Sequence, residues 1–377
     1  MIPYSRQSIN EQDIEEVIKV LRSDLITQGP INKKFEEEIC SYTGSKYSVV
    51  TNSATSALHL ACLALGLGPG DTLWTSPNSY VASANVGLLC NAEVDFVDID
   101  SKTYNMCVKA LDQKLRKAEA DGKLPKIVMP VHFAGQSCDM ISIKKLAEKY
   151  GFKIIEDASH AIGGRYNGEP IGSCSFSDIV VFSFHPVKII TTGEGGSALT
   201  NDLLLLERLR LMCSHGVTRD PSKMVTKSVD AWVYDQISLG FNFRMSDLNA
   251  ALGLSQLKRI DQFIRKRNAI AKRYDEELSQ LNLKLPFRDS SNPSSLHLYP
   301  IQTNQRGRVF DLCHKEGIKV NVHYKPIHIQ PFWQNKGFLP GDHPNSEAYY
   351  SKAISLPIHP ELSDEQQEKV IKVLKSI

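Results

Sequence analysis

The alternation of short apolar runs with helical patterns, through roughly the first two hundred residues, constrains the fold more than any other feature. Runs of this length that are rich in β-branched and aromatic residues are typical of buried strands. The predicted strands are Tyr47 to Thr51, Thr72 to Thr75, Val94 to Val97, Ile127 to Val131, Lys153 to Ile155, Asp178 to Phe182 and Ser197 to Thr200. Helical patterns separate most of them, at Ser56 to Leu65, Val108 to Ala118, Ile141 to Tyr150 and Leu203 to Met212. This order predicts an α/β fold in which helices cover both faces of a large, mostly parallel seven-stranded sheet.

The C-terminal third of the chain has a different pattern. Apolar residues recur at helical spacing from Ser246 to about Leu281, which predicts one long helix connecting two domains. The segments that follow it predict a smaller α/β unit: strands at His297 to Thr303 and Ile318 to His323, a helix at Val309 to Glu316, and a terminal helix from Asp364. We therefore expect a large domain with an N-terminal arm over residues 1–245, and a connecting helix with a small domain over residues 246–377.

Composition excludes several classes of protein. With 42% hydrophobic and 23% charged residues, the 377-residue chain has the balance of a folded globular protein. Its 44 basic and 42 acidic residues are scattered, so we expect no nucleic-acid partner. The longest mostly apolar stretch, Ala54 to Leu67, is shorter than the ~20 residues of a membrane span, and the N-terminus lacks a secretory signal, so we expect a cytoplasmic protein without membrane contact. Eight cysteines without a C-x-x-C pair predict reduced thiols and no metal site.

The segment Ile154 to Ala161 is an apolar run that ends in an acidic residue, Asp157, before small residues. In open α/β sheets, ligands bind beyond the carboxyl ends of the strands, which is where Asp157 would project. Aspartate is also a favoured N-cap of helices, so a purely structural role is the alternative.

A lysine, Lys188, lies between the β-run that ends near Phe182 and the glycine-rich turn Gly193 to Gly196. Its neighbours Val187 and Ile189 are apolar, which predicts a buried amine. Burial lowers the pKa of a lysine and makes the amine available as a nucleophile and base, as Schiff-base chemistry requires. The alternative is a lysine whose stem is buried and whose amine reaches solvent.

The segment Thr51 to Leu58 passes from a strand through small hydroxyl residues into a helix. Free N–H groups at a helix start, together with hydroxyls, can bind a phosphate, although capping by Ser53 or Thr55 explains the same pattern without a ligand. No G-x-x-x-x-G-K-[ST] loop is present, and the glycines from Gly66 to Gly70 follow a helix rather than a strand. Nucleotide hydrolysis and dinucleotide binding therefore lose support.

A phosphate cup, a strand-end aspartate and a buried lysine are the parts of a pyridoxal-phosphate site. The segments that carry them resemble, almost from end to end of the chain, the DegT/DnrJ/StrS family of nucleotide-sugar aminotransferases: Asn52 to Leu58, Glu156 to Ala161, Phe182 to Lys188, Gly193 to Gly196 and Asn242 to Met245. The resemblance implies an enzyme with the fold of PLP-dependent transferases of fold type I, the aspartate aminotransferase fold. It also implies pyridoxal 5'-phosphate, alternating with its pyridoxamine form, as cofactor.

By matching position, the resemblance makes Lys188 the Schiff-base lysine and general base. Asp157 would pair with the pyridinium nitrogen, and His160 would lie beside the cofactor's phenolic oxygen or ring face. Lys188 must be neutral to accept a proton, so we expect its pKa near the working pH.

The same resemblance implies the remaining cofactor contacts. Tyr80 would stack on the pyridine ring. Thr55 and Ser183 would hold the phosphate, with help from the backbone of Ala54. Asn242 would reach the phosphate in a neighbouring subunit, which implies a homodimer with shared active sites.

Within the family, the chain is most similar to the branch that acts in pseudaminic-acid biosynthesis, on the evidence of segments Leu25 to Gly29, Leu296 to Pro300 and Val322 to His328. This similarity implies L-glutamate as amino donor and a UDP-linked 4-keto-6-deoxy-N-acetylhexosamine as acceptor. The implied substrate contacts are Tyr4, Asp24, Leu25, Ile26, Thr27, His323, Tyr324 and Lys325. A cation such as Lys325 near the opening would suit a diphosphate.

Three alternatives stay open. The chain could serve another nucleotide 4-keto sugar, such as a perosamine, bacillosamine or aminoarabinose precursor. It could be a sugar 3-dehydratase, but that branch has histidine where this chain has Lys188. A non-catalytic sensor is the third, and the intact set of Asp157, Lys188 and Ser183 argues against it.

Overall fold

The computed structural model describes residues 1–227 and 230–376. Its helices, in chain order, are α1 (Glu11–Leu21), α2 (Pro30–Thr43), α3 (Ala54–Ala64), α4 (Ala82–Leu89), α5 (Val108–Ala120), α6 (Met140–Tyr150), α7 (Leu203–Cys213), α8 (Asp247–Leu257), α9 (Ile260–Leu278), α10 (Arg306–Lys315), α11 (Pro331–Gln334), α12 (Pro344–Lys352) and α13 (Asp364–Lys375). Its strands are β1 (Tyr47–Thr51), β2 (Thr72–Thr75), β3 (Glu93–Phe96), β4 (Ile127–Met129), β5 (Lys153–Asp157), β6 (Arg165–Tyr166), β7 (Glu169–Pro170), β8 (Ile179–Ser183), β9 (Gly196–Thr200), β10 (Val217–Thr218), β11 (Asp235–Gln236), β12 (Tyr299–Gln302) and β13 (Ala353–Leu356). Two 3₁₀ turns, Phe133–Gly135 and Ile327–Ile329, complete the elements. Within the two described ranges, no helix is both long enough and apolar enough to cross a membrane.

The central sheet has seven strands in the order β1-β9-β8-β5-β4-β2-β3. The strands from β8 through β5, β4 and β2 to β3 are parallel to their neighbours. Only β9 runs antiparallel to its neighbours, β1 and β8. The predicted mostly parallel seven-stranded sheet is therefore confirmed, and the strand ends differ from the predicted ones by at most two residues.

Both faces of the sheet are buried, which explains the apolar sequences of its strands. Successive side chains of a strand point to opposite faces. On β8, Val181 belongs to the core that includes α3, while Phe182 lies on the other face, in the cluster that includes Phe35 of α2. Because neither face of β8 meets water, its sequence is a continuous apolar run without polar alternation.

The single helix predicted from Ser246 to Leu281 is two helices, α8 and α9, separated at Lys258 and Arg259. The backbone of Arg259 leaves the helical region, with φ −107° and ψ 2°. Its guanidinium donates to the Ser8 carbonyl at 3.2 Å and pairs with the buried carboxylate of Asp13. This contact with α1, and with the N-terminal arm that precedes α1, is a tertiary interaction, which helical periodicity does not reveal.

The C-terminal unit packs α10, α13 and the end of α9 against the antiparallel pair β12 and β13. The predicted strand at Ile318 to His323 is wrong, because this segment makes only isolated bridges. Ile318 pairs with Ile2 of the arm, and Asn321 pairs with Ser355 of β13. The strand partner of β12 is instead β13, which the sequence pattern did not reveal. The division into residues 1–245 and 246–377 stays a prediction.

The N-terminal arm connects the C-terminal unit to the large sheet. Ile2 bridges to Ile318, and the Ile358 N–H donates to the Tyr4 carbonyl at 3.0 Å. One residue further on, the Ser5 hydroxyl donates to the Val187 carbonyl at 2.9 Å. The arm therefore fastens the loop after β8 to the C-terminal unit.

The start of α3 lies very close to β9, and Gly196 makes this approach possible. A Cβ atom at Gly196 would lie 2.5 Å from the Ala54 nitrogen and 2.7 Å from the Ser53 carbonyl carbon. Neither is a flexible side-chain end, so a larger residue would push the start of α3 away from the sheet.

We expect Gly196→Ala to lower the free energy of unfolding by about 2 kcal/mol, the usual cost of overpacking a tight site. The measurement is urea unfolding of the protein. Gly307→Ala is the matched control, because a Cβ there meets nothing within 4 Å and the residue lies in α10. The control should gain about 0.5–1 kcal/mol from the helix preference of alanine over glycine. Equal midpoints for the two variants would contradict the close-approach argument.

Candidate active site

The carboxyl ends of β5 and β8 and the start of α3 border a cavity of about 610 Å³. Its other wall comes from Tyr4 of the arm and from residues 321–324 of the C-terminal unit. Ten predicted site residues line it: Tyr4, Ala54, Thr55, Tyr80, Asp157, His160, Ser183, Lys188, His323 and Tyr324. Segments that are far apart in the sequence thus meet in one cleft.

Asp157 is the last residue of β5, and its buried carboxylate is held at both oxygens. Oδ2 accepts a hydrogen bond from the Ser83 hydroxyl at 2.6 Å. Oδ1 accepts from the Ser159 N–H at 3.1 Å. The segment that follows β5 in the described chain is turn rather than helix, so Asp157 does not cap a helix.

Lys188 lies in the loop between β8 and β9, where its N–H donates to the His185 carbonyl at 2.9 Å. Its neighbours Ile189 and Ile190 are buried. Loss of hydration lowers the pKa of Lys188 to about 8, and the negative charge of Asp157 opposes that shift. A substantial fraction of the amine is therefore neutral, and so nucleophilic, at ordinary working pH.

The first turn of α3 has free backbone donors. Ser53 caps the helix, because its hydroxyl accepts from the Ser56 N–H at 3.1 Å and its carbonyl accepts from Ala57. In the described structure the N–H groups of Ala54 and Thr55 have no such acceptor. Capping and anion binding, which the sequence left as alternatives, are thus compatible: the cap uses one donor and leaves two that can face an anion.

His160 is buried, and its hydrogen bonds assign its tautomer. The Ala134 N–H donates to Nδ1 at 3.3 Å, so the neutral ring carries its proton on Nε2. Nε2 lies 3.1 Å from the Tyr324 hydroxyl. Loss of hydration, with a smaller effect from the charge of Lys188, holds the pKa of His160 well below its usual range. The ring is therefore an uncharged donor at neutral pH.

Aromatic side chains close the outer part of the cavity. Tyr80 is 64% exposed at the mouth, and its ring centroid lies 6.4 Å from that of Tyr324. The ring of Tyr4 lies 5.2 Å from that of His323. His323 shares a 2.8 Å hydrogen bond with Ser355, and burial lowers its pKa to about 3. These groups make an uncharged wall opposite the lysine.

Six predicted site residues lie outside the cavity of their own chain: Asp24, Leu25, Ile26, Thr27, Asn242 and Lys325. Asp24 and Leu25 line a separate depression of about 370 Å³ beside α1 and α8. Thr27 bridges to Ser246. Asn242 is exposed, and its carbonyl accepts from the Asn52 side chain at 3.3 Å.

Sequence reasoning missed several lining residues, among them Ser79, Ser83, Ser159, His185, Glu194, Asn321 and Val322. Ser79 and Ser83 precede and begin α4, a helix whose start the sequence reading did not assign. Their spacing of four residues, at a helix start next to Tyr80, is the signal that could have found them.

The residues present fit pyridoxal 5'-phosphate. The free N–H groups of α3 and the hydroxyls of Thr55 and Ser183 suit a phosphate dianion. The buried Asp157 carboxylate suits a protonated ring nitrogen, and the neutral amine of Lys188 suits an aldehyde carbon. Gly196 allows the start of α3, where the phosphate would bind, to lie close to β9, because any Cβ at this position would push against Ala54.

Comparison with known proteins agrees with this geometry. The model of the DegT/DnrJ/EryC1/StrS aminotransferase family matches residues 7–375. The UDP-4-amino-4,6-dideoxy-N-acetyl-beta-L-altrosamine transaminase of Campylobacter jejuni subsp. jejuni serotype O:23/36 is 38% identical over 386 residues, covering 100% of this chain and 97% of that protein.

Two solved structures show the same fold across the whole chain. PseC of Helicobacter pylori, an aminotransferase involved in the biosynthesis of pseudoaminic acid, has a TM-score of 0.90 and 33% identity, with 100% of both chains covered. Spr1654 of Streptococcus pneumoniae, named as a sugar aminotransferase and solved in its PMP form, has a TM-score of 0.91 and 32% identity, with 100% of this chain and 98% of that chain covered. The predicted fold class, fold type I of the PLP-dependent transferases, is confirmed.

The lowered pKa of Lys188 predicts how cofactor capture depends on pH. Only the neutral amine attacks an aldehyde, so capture by cofactor-free protein should rise with pH and level off above about pH 8 rather than near the ordinary value of 10.5. Borohydride trapping at a series of pH values, followed by mass spectrometry of the peptide that contains Lys188, measures this rate. Lys188→Arg is the control and should trap nothing at this position. A rate that still climbs at pH 10 would contradict the prediction.

Proposed function

Since the chain belongs to the DegT/DnrJ/EryC1/StrS aminotransferase family, we propose that it transfers an amino group to C4 of a nucleotide-linked 4-keto sugar. It is a PLP-dependent sugar aminotransferase. The proposed acceptor is UDP-2-acetamido-2,6-dideoxy-β-L-arabino-hexos-4-ulose, and the proposed donor is L-glutamate. The observation that carries the proposal is the meeting of Lys188, Asp157 and the start of α3 in one cavity.

The acceptor is proposed from similarity to relatives of known name. The altrosamine transaminase of Campylobacter jejuni and PseC of Helicobacter pylori match the chain along its full length. The geometry is compatible with a neutral sugar ring, because the wall opposite Lys188 consists of Tyr4, Tyr324 and a His323 that burial keeps uncharged. Such a wall accepts the apolar face of a 6-deoxy sugar without leaving a buried charge unpaired.

The residues of the site have separate tasks. Pyridoxal phosphate, when bound, supplies an electron sink for the carbon that gains or loses a proton. The start of α3, with Thr55 and Ser183, holds the phosphate. Asp157 pairs with the ring nitrogen and keeps its proton in place.

Lys188 Nζ moves the proton. With its pKa near 8, the amine can accept a proton from the donor's α-carbon and return one to C4 of the sugar. A lysine with an ordinary pKa would stay charged and could not act as the base. Burial of Lys188 is therefore a condition of the transfer in both directions.

His160 donates toward the aromatic wall. Because Nδ1 accepts from the Ala134 N–H, the single ring proton lies on Nε2, 3.1 Å from the Tyr324 hydroxyl. We propose that His160 lies against the cofactor ring or its phenolic oxygen, while Tyr80 covers the ring from the mouth side. His160 and Tyr324 together would orient the ring between Asp157 and Lys188.

We propose a homodimer in which each site takes residues from both subunits. Asn242 and residues 24–27 lie outside the cavity of their own chain, and we propose that they contact the cofactor or substrate of the other subunit. Large apolar side chains are exposed in the segment just before Asn242, among them Trp232 at 74% and Leu239 at 78%. Exposed apolar surface of this kind marks protein interfaces. Lys325, exposed beside Tyr324, is the proposed contact of the sugar's diphosphate.

We also propose that the enzyme works in the cytoplasm. All eight cysteines have free thiols, six of them buried. Thiols persist in reducing compartments.

The proposed acceptor can be tested with purified UDP-linked 4-keto sugars. The enzyme is first treated with L-glutamate and freed of it, and each sugar is then added while the cofactor's visible absorbance is followed. The absorbance should recover with the β-L-arabino sugar and not with its D-xylo epimer, because the ring face presented to Lys188 differs. Recovery with another sugar only would contradict the proposed acceptor and leave the aminotransferase intact. Lys188→Ala is the control and should show no turnover.

Shared sites predict complementation between two inactive variants. Lys188→Ala and Asn242→Ala should each lose most activity alone, because one lacks the base and the other a phosphate contact. After subunit exchange, one site of the mixed dimer is intact, so the mixture should regain activity that neither variant has. Light scattering should give twice the chain mass of 42.1 kDa. A mixture as inactive as its components would contradict the shared site.

A further inference from the structure

The carboxylate of Asp157 depends on a residue of another helix. Ser83, in the first turn of α4, donates its hydroxyl proton to Asp157 Oδ2 at 2.6 Å. Ser83 is 1% exposed and Asp157 is 4% exposed, so water does not compete for this bond. A short hydrogen bond to a buried carboxylate is charge-assisted and among the stronger ones in proteins.

A second serine, Ser79, donates a hydrogen bond to Ser83. Ser79 Oγ lies 2.8 Å from Ser83 Oγ. The Tyr80 carbonyl, 3.4 Å from Ser83 Oγ, is a more distant and uncharged acceptor. The single proton of Ser83 therefore goes to Asp157, and Ser79 must be the donor in the bond between the two serines. The hydroxyl dipoles run from Ser79 through Ser83 to the carboxylate and add to one another.

The two donors to Asp157 come from different elements and bond different oxygens. The Ser159 N–H holds Oδ1 from the turn after β5, and Ser83 holds Oδ2 from α4. Two fixed contacts define the plane of a carboxylate, whereas one contact leaves it free to rotate. The segment that leads into α4 also carries Tyr80 at the cavity mouth, so one short segment supplies both the donor to Asp157 and the outer aromatic ring.

We propose that Ser83 is a positioning residue for the transfer reaction, which orients the Asp157 carboxylate against the cofactor's ring nitrogen. This inference rests on the proposed function, because it assigns Asp157 to the ring nitrogen. Ser83 acts through Asp157 and affects both halves of the reaction, since each half needs a positively charged ring. Its effect on sugar binding is small, because its hydroxyl proton is directed to Asp157 and not to the substrate.

Ser83→Ala is the test. We expect the rate of the half-reaction with L-glutamate to fall roughly ten-fold, the factor that corresponds to the loss of a hydrogen bond to a charged group. The KM for the sugar should stay within about two-fold, because uniform substrate binding is unchanged. The visible spectrum of the resting, cofactor-loaded protein should change in the same direction as in Asp157→Asn, and by less. A merely structural role for Ser83 would not move that spectrum.

Ser177→Ala is a matched control. Ser177 donates to Glu156 Oε1 at 2.6 Å, the same type and length of bond to the neighbouring carboxylate of β5. The Glu156 side chain bonds His132 rather than the cavity, and Ser177 does not line the cavity. Ser177→Ala should therefore cost stability without changing the spectrum or the half-reaction rate.

Ser83→Cys keeps the inference testable if alanine disturbs folding. The thiol is larger than the hydroxyl but keeps a weak donor at the same position, so the variant should fall between wild type and alanine in rate and spectrum. A wild-type rate and spectrum in both Ser83 variants would overturn the inference. So would a Ser177→Ala variant with the same spectral change as Ser83→Ala.

The behaviour of the wild-type protein in the same experiment distinguishes a failure of the inference from a failure of the proposed function. If wild type binds the cofactor and reacts with L-glutamate while the Ser83 variants equal it, the inference alone fails. If wild type shows no cofactor absorbance and no reaction with any amino donor, the proposed function fails and the inference falls with it.

Discussion

The parallel pairing of β5 with β8 is the constraint on which the site depends. Their register places Asp157 opposite Val181, so both strands end at the same edge of the sheet. Ser183 ends β8 there, and the loop that follows brings Lys188 back toward Asp157. An acid and an amine that are 31 positions apart in the chain thus share one cavity because two strands run in the same direction. The antiparallel β9 then brings Gly196 against the start of α3, which adds the anion-binding end.

Burial sets the charge state of nearly every group around this cavity. Loss of hydration lowers the pKa values of Lys188, His160 and His323, and the charge of Lys188 lowers those of the two histidines further. His297, whose ring lies 4.4 Å from that of His160, is lowered for the same reason. The site therefore holds neutral histidines and a lysine of lowered pKa beside the Asp157 carboxylate, which is bonded at both oxygens. Neutral bases and a fixed anion are the combination that proton transfer next to a cationic ring needs.

The sequence revealed those features that are encoded locally. Continuous apolar runs predicted all seven strands of the large sheet, and the residues beyond the strand ends pointed to Asp157 and Lys188, whereas Ser183 was assigned from the family resemblance. Sequence patterns did not predict the features that distant contacts decide. The break at Arg259 depends on Asp13 and Ser8, some 250 positions away, and β13 is recognisable only beside β12. Ser83 was missed because a serine in a helix is ordinary until the strand that it faces is known. Asn242 and residues 24–27 lie beyond their own cavity, and a single chain does not say which surface meets a partner.

Helix α9 belongs to two hydrophobic cores at once. Ile260 and Phe263 pack beneath the large sheet, whereas Ile270 and Tyr274 pack into the C-terminal unit. Between them the fully buried Arg267 donates to the carbonyls of Leu296, His297 and Ile358. A helix embedded in both cores couples them mechanically, because one core cannot shift against the other without pulling apolar side chains of α9 out of contact. Tyr80, by contrast, is 64% exposed at the cavity mouth, so its side chain can change rotamer without disturbing either core.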